Sequence, residues 1–500
     1  MTLFKRSYVA TGLITVVLAG SAVGAPQERV AHPRDLEYPD LTFAPPNGLE
    51  YRHELSNGAV AYVVEDHELP LVNVSLTIRT GSYTALGQAT PGVTALTGSQ
   101  IRSGGTANFA PADFDEELDF LAANVGSGFG STSGSANVNC LTKDLERCMD
   151  LFFEMLREPR FDGERLDLAK SQTRQSMEQR NDSTTGIEGR EWNRLMYGPG
   201  HFSTRALSAS DLDAITVSDL SAFHGFALHP GNFIFAVSGD VDTAAAVAAL
   251  DARMAGWPVG ETAGPVPAPA CEPVPGLYLV NKADVNQGRV SIGHLGAQLN
   301  SPDRFALQLM NDILGGGGFT SRIMSRVRSD EGLAYSAGSG FGFGVHYDGT
   351  FRAFFQSRSE AVARATAIVI EEIERIRTEP VTDEELATSK ASFIESFTRN
   401  FASAAQVAGL FSSFELQERD FDYLSTYRAK MAAVTAADVM RVAREYLHPD
   451  RLVILAVGDA DTMLAGDPEH PETSLAALAP GGNVTRIPLP DPLTMHYPEQ

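Results

Sequence analysis

Two apolar periods alternate along the chain. Runs of β-forming residues, at 59–64 and 71–78 in the first half and at 276–280 and 289–292 in the second, predict buried or half-buried strands. Between them lie stretches with a helical period. Val362, Ala365, Val369, Ile373 and Ile376 trace one apolar face, and Ser357 with Glu360 ahead of it predicts a capping box. Such a face has to pack on something, and the strands supply the surface. Helices follow strands in blocks, which predicts an α+β fold with helices layered on mainly antiparallel sheets.

The pattern occurs twice. HPGNFIFAVSGDVD at 229–242 returns as HPDRLVILAVGDAD at 448–461, a strand with the same exit turn. Upstream, Thr216 and Asp219 match Thr435 and Asp438, two S/T-x-x-D helix starts whose side chains can satisfy free first-turn amides. Further back, LREPRFDGERLDLAK from Leu156 parallels IRTEPVTDEELATSK from Ile376. The expectation is two homologous repeats: an N-terminal domain at 40–259, a Pro- and Gly-rich linker at 260–275, and a C-terminal domain at 276–462. A Pro-rich tail at 463–500 reads as extended and outside the core.

Composition narrows the class. A chain of 500 residues with 43% hydrophobic and 20% charged residues is globular. A formal charge of −24 argues against a nucleic-acid surface, which needs concentrated Lys and Arg. Residues 1–25 carry Lys5 and Arg6, an apolar run, and small residues suited to cleavage near Gly24 or Ala25. They predict a signal peptide and secretion across an inner membrane, with the periplasm as destination and no membrane span after cleavage. Three cysteines make no disulfide framework; Cys140 and Cys148 either pair or remain two buried thiols, and Cys271 stays single.

Several short motifs then fall in a fixed order. Leu71-Val72-Asn73-Val74 leads to Thr80-Gly81-Ser82, then Thr90-Pro91-Gly92-Val93 and Gly104-Gly105-Thr106; the second half has Leu314-Gly315-Gly316 and Gly332-Leu333-Ala334-Tyr335-Ser336. With the two repeats, this order resembles the insulinase and pitrilysin family of metallopeptidases, over about residues 45–460. The likeness is to its small two-domain members and the mitochondrial processing peptidase subunits.

The resemblance implies an H-x-x-E-H zinc motif on the helix after Thr90-Pro91-Gly92, with two imidazoles on one helical face and a glutamate to activate water. Counted from Gly92, those positions are Ala95, Gly98 and Ser99; counted back from Thr106 they are Leu96, Ser99 and Gln100. Neither frame offers a metal ligand. The family's third ligand would fall near Arg174 to Glu178, and one carboxylate without the His pair cannot make a tight zinc site. The helix reads as retained for packing.

The second half matches the family elsewhere. Arg328 and Tyr335 agree in type and separation with the Arg and Tyr that members place across the cleft from zinc, where Arg would hold a substrate carbonyl and Tyr would donate to the oxyanion. The plain alternatives are that Arg328 pairs with Asp330 or Glu331, that Tyr335 is a half-buried strand residue, or that Arg322 or Arg326 takes the Arg role. Gly315, Gly316, Gly317 and Gly318 resemble the family's glycine-rich loop, expected either to contact substrate or simply to end a helix. Gly126-Ser127-Gly128-Phe129-Gly130 and Gly338-Ser339-Gly340-Phe341-Gly342 are strands able to accept a peptide at an edge, or flexible sheet entries. His67 reads as a surface residue, and His229 and His448, each before Pro, as turn residues.

The resemblance therefore implies a zinc-free subunit of a metalloendopeptidase complex, inactive alone, with no cofactor of its own. Its partner would be a homologous zinc-binding subunit, in a heterodimer that takes peptides or unfolded proteins. The alternative of another class is a peptide-binding or scaffold protein with the same fold.

Overall fold

The computed structural model describes residues 43–85 and 90–499. All that follows concerns the compact unit Pro45–Gln500. The signal-peptide reading lies outside the described residues.

Each half builds one six-stranded sheet. The first contains β1 (Arg52–Glu54), β2 (Val60–Glu65), β3 (Leu71–Ile78), β4 (Asn124–Phe129), β5 (Gly134–Leu141) and β6 (Phe233–Gly239), in the order β1-β2-β6-β3-β5-β4. The second contains β7 (Gly276–Asn281), β8 (Gln287–Leu295), β10 (Ala334–Phe341), β12 (Thr350–Arg358), β13 (Val453–Gly458) and β14 (Val484–Ile487). Two short strands, β9 (Ala297–Gln298) and β11 (Phe343–Gly344), pair in parallel outside it. The order β14-β7-β13-β8-β12-β10 repeats the first sheet slot for slot.

The repeated sequence run sits in equivalent places: β6 lies between β2 and β3, and β13 between β7 and β8. Both are buried along their whole length, because both faces of these strands are covered. Most neighbours are antiparallel, while β2–β6, β7–β13 and β7–β14 are parallel, so the sheets are mixed. On one face of the first sheet, Val72, Val74, Leu76 and Ile78 of β3 pack with the Leu145–Arg157 helix through Leu151, Phe152, Met155 and Leu156.

The other faces are covered by exchange. Helix Thr184–Tyr197 belongs to the first half by sequence, yet Ile187, Trp192 and Met196 pack on Val280, Val453, Leu455 and Val457 of the second sheet. Helix Ala404–Leu416 makes the reciprocal crossing: Phe411 meets Tyr62 of β2 with ring centroids 6.0 Å apart, and Ser412 lies 3.4 Å from Thr77 of β3. One glutamate marks each crossing, Glu188 buried and Glu415 half-buried. Glu188 accepts from Arg289 at 2.7 Å and from Ser291 at 2.6 Å, with Arg352 at 2.9 Å. Glu415 accepts from Arg52 at 2.9 Å, Tyr62 at 2.7 Å and Arg79 at 3.2 Å.

Two expectations need correction. The tail is not outside the core: β14 fills in the second sheet the slot that β1 fills in the first, Leu475 is fully buried, and Leu493 packs on the first-half core. Nor do Ser357 and Glu360 form a capping box. Ser357 is still in β12 and donates to the Leu333 carbonyl at 2.7 Å, and helix Val362–Thr378 starts through a 3₁₀ turn without a side-chain cap. Its apolar face is buried at all five expected positions. The Thr216–Asp219 and Thr435–Asp438 capping boxes are both formed. Between Met254 and Gly276 the chain carries no helix or strand.

Cys140 and Cys148 are buried free thiols, and Cys271 is exposed. Burial, with Cys148 beside it, pushes the Cys140 thiol up to about 12.

Candidate functional site

Strand β10 is an edge strand, and its first residues set the site. Its pairing with β12 slips between Ala334 and Ser336, so Tyr335 stands out from the ladder with 83% of its surface exposed. The chain arrives there through helix Arg322–Met324 and a π-helical turn, Ser325–Asp330.

The three arginines on this segment have different fates. Arg322 is buried and bidentate on Glu385, at 2.6 and 2.9 Å. Arg326 pairs with Glu372 at 2.9 Å and Glu371 at 3.1 Å. Arg328 has no ion pair among the described residues. Its guanidinium carbon lies 4.6 Å from the Tyr335 ring centroid and 4.8 Å from that of Phe319. Glu331, one of its possible partners, is held by Arg364 at 3.0 Å.

The glycine run supplies the other ring. Residues Asp312–Gly316 continue helix Arg304–Asn311 as a π turn, and the Gly317 amide donates to the Asp312 carbonyl at 2.8 Å. At Gly315 a Cβ would lie 2.4 Å from the Ser339 amide nitrogen, so only glycine lets this turn rest on β10. Gly318, at φ +62°, turns the chain and puts Phe319 outward, 70% exposed. The run thus ends a helix and shapes the site at once. It brings Phe319, Arg328 and Tyr335 into one stack, a guanidinium held between two rings with its donors uncommitted to any carboxylate.

The helix Val93–Ser103 lies in the first half and packs on β4. Ala95 and Ser99 are exposed one turn apart, whereas Leu96 and Gln100 are buried. A Cβ at Gly98 would lie 2.6 Å from the Phe129 amide nitrogen and 2.8 Å from the Gly128 Cα. The β4 backbone therefore occupies the space in which a glutamate at 98 would have to start. Ser127 fastens the contact by donating to the Gly98 carbonyl at 2.7 Å. Ala95 faces a cleft of about 290 Å³ shared with Phe129, Phe202 and Arg205. Glu178 is exposed at the end of helix Gly163–Glu178, and Arg174 pairs with Asp213 at 2.5 Å. Zinc does not fit these residues: their side chains offer a methyl, a hydrogen and a hydroxyl. Among the described residues no group of three or more His, Cys, Asp or Glu is placed to hold a metal.

The histidines are occupied structurally. His67 lies 2.8 Å from Asp240 on the surface, which raises its pKa. His229 is buried with Nε2 3.1 Å from the Glu261 carbonyl, and burial lowers its pKa. His448 donates its amide to Nε2 of His294 at 3.0 Å, and burial holds the His294 imidazole neutral, down to about 4.

Sequence reading missed Phe319 and the two crossing glutamates. Phe319 had no apolar period to announce it. Glu188 and Glu415 did leave a signal, an acid inside an otherwise apolar helical face, but their arginines lie in the other half of the sequence.

A family profile described as "Peptidase M16 inactive domain" matches residues 214–393. A Pseudomonas fluorescens structure with that same description is similar at TM-score 0.74 and 27% identity, over 81% of this chain and 97% of that one. An uncharacterised zinc protease of Streptomyces coelicolor is 23% identical, over 69% of this chain and 76% of its own length. The periplasmic protease PqqL of Escherichia coli shares the fold at TM-score 0.68 and 15% identity; this chain covers 49% of it. The duplicated sheet-and-helix halves, the ordered motifs and these likenesses together support an insulinase-type M16 assignment for this chain, whose sequence lacks the H-x-x-E-H motif.

Proposed function

We propose that this chain is a secreted, periplasmic, zinc-free subunit of an M16 metalloendopeptidase, paired with a homologous subunit that carries H-x-x-E-H. The observation that carries the reading is Arg328: alone among the three arginines of its segment it pairs with no carboxylate, and it is stacked on an exposed Tyr335. A guanidinium fixed between two rings has lost rotamer freedom before substrate arrives, so less is lost when it donates to a peptide carbonyl. The Tyr335 hydroxyl stands free to donate to the oxygen on which charge develops as that carbonyl becomes tetrahedral. The glycine-rich edge strands β4 and β10 offer unpaired backbone groups along which an extended peptide can add. Zinc, supplied by the partner, would provide the activated water.

The second reading is a peptide-binding scaffold without hydrolysis. It is favoured by the close contact of Gly98 with β4, which leaves no room for a longer side chain at that position, while both glycine-rich edge strands stay open.

Purification from the native envelope, followed by reconstitution, tests the proposal. A zinc-containing homologous partner should co-purify, and peptide hydrolysis should require both chains. Arg328→Ala should lower turnover of the mixed complex about a hundredfold while its zinc content stays constant. Unchanged turnover removes the site assignment; absence of a zinc partner leaves the scaffold reading.

A further inference from the structure

A broad groove lies away from this stack. It encloses about 1150 Å³ and is lined by the segments Leu299–Ala306 and Gln417–Asp420, with Tyr423, Lys430 and Arg441. Two of its arginines lean on one ring: the guanidinium carbon of Arg419 is 3.3 Å from the Tyr423 centroid, and that of Arg304 is 5.4 Å from it. Phe414 supports Arg419 from another side at 4.7 Å, and Phe343 supports Arg304 at 5.1 Å.

Neither arginine has an ion pair among the described residues, in a chain where acids outnumber bases 63 to 39. Five acids also line the groove, Asp303, Glu418, Asp420, Asp422 and Asp438, and among the described residues none of them forms an ion pair with Arg304 or Arg419. Asp303 takes Arg441 at 2.5 Å, Asp438 closes the Thr435 capping box, and Asp420 accepts the Asp422 amide at 2.9 Å. Arg304 Nη1 donates to the Leu299 carbonyl at 3.1 Å, and Arg419 interacts with the Tyr423 side chain. Nε of Arg304 and Nη2 of Arg419 are buried without a partner. Burial, and then the like charge of Arg304, lowers the Arg419 pKa. Two neighbouring cations held on one ring without a counterion lack only an anion. Past Gln417–Arg419 and Val345, the groove runs into a cleft of about 790 Å³ lined from both halves, including Arg79, Tyr83 and His346. The two clefts share Val345 and Gln417–Arg419, and their volumes suit a peptide rather than an isolated ion.

We propose that this groove captures a peptide carboxylate between Arg304 and Arg419, with the neighbouring peptide lying on Tyr423 and Phe305. The proposal rests on the peptide-binding part of the function proposed above. It adds a substrate class: unfolded segments that bring a carboxylate, at a C-terminus or on an acidic side chain. On a chain with a formal charge of −24, cations without an ion pair are where such segments find local attraction.

Fluorescence anisotropy with the signal-free chain alone tests it, using one labelled unstructured peptide in three forms: free C-terminus, C-terminal amide, and C-terminal amide with one internal Glu. The free acid, the internal-Glu form, or both should bind about tenfold more tightly than the neutral amide. Which of them does so identifies the source of the carboxylate. The preference should vanish in R304Q/R419Q. Equal binding of all three forms by the unaltered chain, no binding of any form, or a preference that survives in folded R304Q/R419Q overturns the proposal. The peptide comparison needs no variant, so a misfolded variant does not rescue the idea. Turnover of the mixed complex with Arg328→Ala is read separately: loss of carboxylate preference with a retained Arg328 effect sinks this proposal alone, and the reverse result sinks the peptidase reading alone.

Discussion

At the scale of single residues, the candidate site is defined by what is left over. Arg322, Arg326 and Arg328 are indistinguishable in the sequence, because the carboxylates that claim the first two lie on helices 45 to 63 positions further on. The type and spacing of Arg328 and Tyr335 were legible; the exposure of Tyr335 depends on a register slip that no local pattern encodes. Gly98 gives a prediction at this scale. Gly98→Ala should destabilise the chain by about 1–3 kcal/mol, seen as a lower Tm, because its Cβ meets the backbone of β4 and not a movable side chain. A variant as stable as the parent would mean that the helix can lift off the strand and that the close contact does not exclude a larger residue.

Among the elements, the π-turn segment is tied to helix Asp383–Ser396 by the Arg322–Glu385 pair. Glu385 is partly buried, which alone would raise its pKa, but the Arg322 guanidinium and the Thr382 amide hold it down at about 2. A depressed carboxylate contributes stability above its unfolded value, near 4.5, and loses it as pH falls towards the folded value. Urea unfolding between pH 5 and pH 2 should therefore lose on the order of 2 kcal/mol from this pair, after allowance for its partial exposure. Glu385→Gln should show a flatter stability profile across that window, and an identical slope would refute the assignment. The Val362 helix period and the Thr216 and Thr435 caps are legible in the sequence, since their determinants are local. The cap assigned to Ser357 and Glu360 failed because Ser357 was already committed to β12 and the Leu333 carbonyl.

For the whole molecule, the exchanged helices bind the two halves into one folding unit. The second sheet is covered on one face by Thr184–Tyr197 from the first half, and the first sheet by Ala404–Leu416 from the second. Expressed alone, residues 276–500 would expose Val280, Val453, Leu455 and Val457, and would leave Arg289 and Arg352 without Glu188. That half should be insoluble or rapidly digested in limited proteolysis, and the intact chain should unfold in a single transition. A soluble, protease-resistant second half would contradict this.

The sequence by itself determined the duplication, the α+β layering, the strands around 71 and 276, the buried face of the Val362 helix and the lack of imidazoles on the Val93 helix. These follow from periodicity and residue type, which act over a few neighbours. Only the tertiary structure decided which helix covers which sheet, that the tail fills the sixth strand slot, and which arginines remain unpaired. Those outcomes depend on groups tens to hundreds of residues apart competing for the same partners, and such competition is settled only when the chain is packed.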